Sequence, residues 1–182
     1  MIKKILLGLV ALITLVLIYA ATRPNTFSVQ RTIMINAPAA KVYPYLADFH
    51  RWQAWSPWEH LDPAMQRTHS GAPSGQGAIY AWLGNDKVGQ GRMEITGAQP
   101  PADGTTAKGR LLVKLDFIKP FESANTTEFT LNGSSDGTEV VWTMRGPSPY
   151  ITKLMTVFVS MDKMVGKDFE SGLARLKAAA EK

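Results

Sequence analysis

Cysteine is absent from the 182-residue chain, which excludes disulfides, thiolate nucleophiles and sulfur-ligated metals but leaves the compartment open. Histidine is scarce. His50, His60 and His69 are the three present, and no His-x-His or HExxH spacing marks a metal site, so neither metal nor cofactor is expected. No Gly-x-Ser-x-Gly elbow supplies a serine nucleophile. A concentrated basic face is missing too. Lys3, Lys4 and Arg23, three of the 20 basic residues, flank an N-terminal apolar run, and the others are nearly balanced by 15 acidic ones. That balance excludes a nucleic-acid surface as the main function. With 45% hydrophobic residues the chain can bury one good core but hardly two.

What the chain does have begins at its N-terminus. "ILLGLVALITLVLIYAA", Ile5 to Ala21, is an uncharged run of about 17 residues that reaches ~25 Å as a helix, the short end of a bilayer span. It has no polar face, which argues against a buried core helix. A signal-peptidase cut after Ala20 or Ala21 would put Ile18 or Tyr19 at −3, where a small residue belongs. The expectation is an uncleaved single-pass anchor over 5–21, with 1–4 in the cytoplasm and 22–26 as linker. Lys3 and Lys4 against the single Arg23 orient it by the positive-inside rule. The remaining domain, 27–182, is then extracytoplasmic, on a bacterial inner membrane.

From Phe27 the pattern changes to period-two alternation in "FSVQRTIMI", a strand ended by Ala37-Pro38. Val42, Leu46, Phe49 and Trp52 then follow at helical spacing, and Pro44 and Asp48 divide the segment into two short helices closed by Pro57. Strand-like runs follow at about 64–71, 78–83, 88–96, 108–117, 123–131 and 138–144 with no helix between them. Turn signals separate them at Gly84-Asn85-Asp86, Pro100-Pro101-Ala102-Asp103-Gly104, Lys119-Pro120 and Gly133-Ser134-Ser135-Asp136-Gly137. This is an antiparallel meander. A long helix closes the chain from Ser148-Pro149, with Ile151, Leu154, Met155, Phe158, Met161, Val165, Phe169, Leu173 and Leu176 on one broad stripe. A sheet of six or seven strands with one apolar face and one long helix to cover it should curl around that helix, giving an α+β helix-grip fold. Gly166 and Gly172 interrupt the helix at about 1 kcal/mol each, so close approach to the sheet is expected there.

The segments "INAPAAKVYPYLADFHRWQAWSPW", "GTEVVWTMRGPSPY" and "MDKMVGKDFESGLARLK" in this order resemble the START-like (SRPBCC) superfamily, near its polyketide cyclase/dehydrase and lipid-transport group. The resemblance covers nearly everything from Phe27 onward. It implies a cavity between helix and sheet, and it leaves the ligand open because members bind lipids and aromatic polyketides, catalyse unrelated reactions or serve as co-chaperones.

Three readings follow. The first is a membrane-anchored binding module for a hydrophobic or amphipathic small molecule or lipid. The second is a cyclase- or dehydratase-like enzyme using the same cavity, with Asp48, His50, Glu59 and Asp162 as the candidate catalytic groups. The third is a co-chaperone-like interaction domain whose interior is filled by its own side chains, its partner unknown. Tryptophans concentrate in "HRWQAWSPWEH", where Trp52 and Trp55 sit about 60° apart on a helix and Trp58 follows Pro57. These indoles either bolt the short helices down or stack on ligand. The expected cavity wall takes Trp55 and Trp58 from this segment and Tyr80, Trp82, Leu115, Phe117 and Trp142 from the strands. The helix contributes Phe158, Asp162 and Val165. Asp162 stands at the edge of the apolar stripe, where it either pairs with a cation from the sheet or acts as a polar anchor for ligand.

Overall fold

Alternating burial along Thr26–Ile35, with Val29 and Ile35 inward, defines β1 in the computed structural model, which describes residues 1–182 except Asp103 and Thr105. The chain then forms α2 (Ala39–Ala47) and two short 3-10 turns, Phe49–Ala54 and Pro57–His60. Six strands follow: β2 (Gln66–Gly71), β3 (Ala78–Leu83), β4 (Gln90–Gln99), β5 (Lys108–Lys119), β6 (Ser123–Ser134) and β7 (Gly137–Pro147). They pair in the order β1-β7-β6-β5-β4-β3-β2, all antiparallel, so the meander is closed on one side by β1. The expected turn at 100–104 includes Asp103 and lies in part outside the described residues.

Since β1 and β2 occupy opposite edges, the connection between them must cross the sheet, and α2 and the 3-10 turns make that crossing. Pro44 does not end the first short helix. It sits inside α2, and the break comes at Asp48, whose carboxylate caps the next turn by accepting the His50 amide at 2.9 Å. Pro57 likewise opens a turn where the sequence suggested a stop, its fixed φ suiting the first helical position. Register shifts between β4 and β5 leave Ile118 of β5 as the extra residue opposite Gln90/Gly91 and Thr96 of β4 as the extra residue between Ile95 and Gly97, and these bulges strengthen the sheet's curl.

The expected single C-terminal helix is two. α3 spans Tyr150–Thr156 and α4 spans Met161–Ala180, with Ser160 capping α4 through its hydroxyl. In α4 the stripe holds: Phe169, Leu173 and Leu176 are buried against the sheet. Gly172 packs where a Cβ would lie 3.0 Å from Trp142 and 3.1 Å from Pro57, and a Cβ on Gly166 would collide with the Arg31 guanidinium. Both glycines therefore permit the close approach their positions suggested. In α3 the stripe fails, since Ile151 and Met155 face outward and Phe158, between the helices, is 74% exposed.

N-terminal to the domain, α1 (Ile2–Thr22) is long and apolar enough to cross a membrane and is almost wholly exposed. It touches α3, whose Tyr150 hydroxyl donates to the Leu17 carbonyl.

Candidate functional site

Three layers of inward side chains leave space between the sheet and α4. On β3, alternation turns Tyr80 and Trp82 inward; on β5 it turns Leu115 and Phe117; on β7, Trp142 and Met144. α4 supplies Val165 and Phe169 from successive turns of one face. Trp58, carried by the turn that Pro57 opens, closes the set edge-on to Trp142 and Phe169 at ring separations of 5.9 and 6.2 Å. Together these enclose a mainly apolar cavity of about 260 Å³, near the lower end of small-molecule pockets. Trp142 stacks flat on Phe169 at 4.0 Å and forms its floor.

One charged group stands on this wall. Glu59 is buried, accepts the Tyr80 hydroxyl at 2.5 Å on one oxygen and the Arg67 Nε at 2.7 Å on the other. Arg67 is itself held by the carbonyls of Met65 and Glu59. Burial, reinforced by the bond to Glu59, pushes the Tyr80 phenol far above its usual range, so it remains a neutral donor. The carboxylate has its charge compensated by Arg67 and keeps lone pairs available for a further donor. Ser56 and Thr127 add hydroxyls to the same wall.

The sequence-derived residues divide clearly. Trp58, Tyr80, Trp82, Leu115, Phe117, Trp142 and Val165 border the cavity, and so does Glu59. Trp55 does not. It is fully buried, donates its indole N–H to the Tyr45 carbonyl at 2.9 Å and packs on Trp52, Phe129 and Trp142. Trp52 is also pinned, to the Leu46 carbonyl at 3.0 Å, yet one side of it reaches the cavity. Phe158 stands outside because α3 and α4 are separate helices. Asp162 stands outside as well: it forms a forked pair with Arg31, at 2.7 and 3.0 Å, and is more than half exposed, the ion pair having drawn it to the surface.

Two of the candidate acid–base groups are also remote from the cavity. Asp48 caps a turn and holds the exposed His50 at 3.0 Å. His50 stacks on His69 at 4.1 Å, and burial followed by the neighbouring His50 lowers the His69 pKa below the usual histidine value. Beyond the expected wall the cavity also takes Trp52, Ser56, Met65, Val88, Met93, Thr127, Met144 and Phe169, and Arg67 supports it through Glu59. Met93 was legible from the β4 alternation, being cross-strand to Leu115, whereas Met65 and Val88, expected at the starts of strands, lie on the irregular chain just before β2 and β4, where alternation does not fix their direction.

Residues 26–181 match the family model described as polyketide cyclase / dehydrase and lipid transport. The fold is similar to that of a Chromobacterium violaceum protein, with a TM-score of 0.56 at 16% identity over 87% of this chain and 99% of that one. A Rhizobium leguminosarum protein gives 0.59 at 14% identity, over 86% and 95%. StfQ, the di-domain ARO/CYC protein of the steffimycin biosynthetic pathway, gives 0.60 at 11% identity, covering 86% of this chain and 51% of StfQ. At such identities the likeness concerns the fold. No curated protein matches the chain in sequence.

Proposed function

The chain belongs to the polyketide cyclase / dehydrase and lipid transport family, and from that premise we propose that it is a membrane-anchored binding module for a hydrophobic or amphipathic small molecule. The observation that carries this reading is the cavity itself: about 260 Å³ of mainly apolar space closed by aromatic rings, with one compensated carboxylate on its wall. An interior filled by its own side chains, as an interaction domain would have, leaves no such space. A fitting ligand buries flat apolar surface against Trp58, Trp82 and Trp142 and directs a hydroxyl or similar donor to Glu59.

A second reading, a cyclase- or dehydratase-like enzyme, is favoured by the Tyr80–Glu59 pair alone. A carboxylate on a cavity wall, oriented by a neutral phenol that donates to it, is placed to take a proton from a bound substrate. In that case Tyr80→Phe abolishes turnover while leaving ligand affinity nearly intact; in a carrier the same change alters affinity only.

The long apolar α1 and its flanking lysines support an anchor with the domain on the extracytoplasmic side of a bacterial inner membrane. Alkaline carbonate should leave the full chain with the membrane fraction; a soluble form beginning near Thr22 would overturn the anchor. For the ligand, native mass spectrometry of detergent-extracted protein should show a co-purifying apolar small molecule. Protein that carries none and also fails to bind a fluorescent apolar probe contradicts the proposal.

A further inference from the structure

α3 is built inside out. Lys153 faces the domain, 8% exposed, with its ammonium on the side chain of Asn25, while Ile151 and Met155 face outward and Phe158 projects beyond them. A lysine is rarely buried and a contiguous apolar stripe rarely presented to water, so this arrangement points to an apolar medium on the outer side. What that medium is follows from where α3 lies. The Tyr150 hydroxyl donates to the Leu17 carbonyl at 3.0 Å, and Leu17 is about five residues, or ~8 Å along the axis, before the end of α1. If α1 spans the bilayer, Tyr150 is held at the depth where interfacial tyrosines gather, and the outer face of α3 continues the surface of the anchor.

Strand register supplies an independent observation. Thr26, where β1 leaves the anchor, pairs with Pro147, and Thr126 pairs with Arg145, so the β5–β6 turn lies at the anchor's end of the sheet. Gln90 pairs with both Lys119 and Leu83, which puts the β3–β4 turn at that end too. The exposed Leu83, Ile118 and Phe121, the last 67% exposed, are therefore gathered at the end nearest α1. The opposite end presents Ser135, Asp136 and Lys108, with Met34 the one large exposed apolar side chain there among the described residues.

We propose that α3, the α3–α4 link and the β3–β4 and β5–β6 turns form a face that rests on the lipid bilayer into which α1 inserts. The proposal rests on the anchor reading of α1. It places the cavity-wall residues Trp82, Phe117 and Met144 in the half of the sheet next to the membrane, where a lipid-soluble ligand is concentrated.

The chain's lack of cysteine makes the test direct. Single-cysteine variants of the full chain, L12C, F121C, F158C and S135C, are labelled with an environment-sensitive fluorophore and reconstituted into phosphatidylcholine–phosphatidylglycerol vesicles with or without spin-labelled lipid. The expected result is blue-shifted emission and strong quenching at 12, 121 and 158, and none at 135, which lies about 30 Å away along the strands. Quenching at 12 with 121 and 158 behaving like 135 overturns the proposed face and leaves the anchor standing, including the case in which a second copy covers the face. No quenching at 12 overturns the anchor and the face together. The substituted side chains are exposed, so melting curves should match the parent; M155C repeats the measurement on α3 should F158C fold poorly.

Discussion

α3 and α4 come from one continuous apolar stripe in the sequence, and the fold treats them in opposite ways. α4 turns Phe169, Leu173 and Leu176 into the core and is tied to β1 by Arg31, which reaches Asp162 and Glu170 across Gly166. α3 turns Ile151 and Met155 outward and tucks its lysine against the domain. Helical periodicity establishes that a helix has an apolar side. It does not establish which medium that side meets, because sheet and lipid present the same demand to the same residues.

The contrast makes its largest prediction at two phenylalanines. Phe169→Ala should destabilise the domain by ~3–5 kcal/mol, since the ring is fully buried and stacked on Trp142. Phe158→Ala in detergent should stay within about 0.5 kcal/mol of the parent in the same denaturant melt. Equal losses would mean that both helices pack against the core. A methyl group sharpens the comparison at intermediate size: Gly172→Ala forces Trp142 or Pro57 to yield and should cost ~1–3 kcal/mol despite alanine's better helix propensity, and a gain in stability would show that α4 stands further from the sheet.

Two smaller effects depend on pH. His69, partly buried, has a lowered pKa, so the unfolded chain binds the extra proton first; stability present above the ordinary histidine pKa of about 6.5 is lost as pH falls from there through the lower folded value. His69→Gln should flatten the fall of Tm over that interval. Asp162 is held below the usual carboxylate range by its hydrogen bonds to Arg31. Its contribution is thus present above the unfolded value near 4 and lost as pH falls through the folded one, a slight effect because the pair is exposed. Asp162→Asn should remove a small acid-side drop in Tm that no substitution in α3 reproduces.

Alternation and turn residues made the sheet legible almost strand by strand, and the glycines at 166 and 172 marked the contact of α4 with Arg31 and with Trp142. Most of the aromatic wall followed from the same alternation on β3, β5 and β7. The α3–α4 break was hidden because Ser160 reads as an ordinary helical polar residue until its hydroxyl is seen to cap Lys163. Trp55 and Trp58 were indistinguishable by spacing; their separation comes from Pro57, which starts a new turn and sends one indole to the core and the other to the cavity. Arg67 was invisible as a site residue because its role exists only through Glu59, eight residues away and in a different element.

The most direct measurement of the central claim is a titration of a fluorescent apolar probe against three full-length proteins, with a denaturant melt for each. Val165→Trp fills the cavity from α4, Phe158→Trp makes the same class of change on the α3–α4 link, and Trp58→Ala removes the cavity's outer ring. Val165→Trp should lower probe affinity at least ~10-fold, the effect of losing about 1.4 kcal/mol of binding, and Trp58→Ala should weaken it with little change in unfolding. Phe158→Trp should bind like the parent. Undiminished affinity in folded Val165→Trp and Trp58→Ala would contradict the cavity as the binding site.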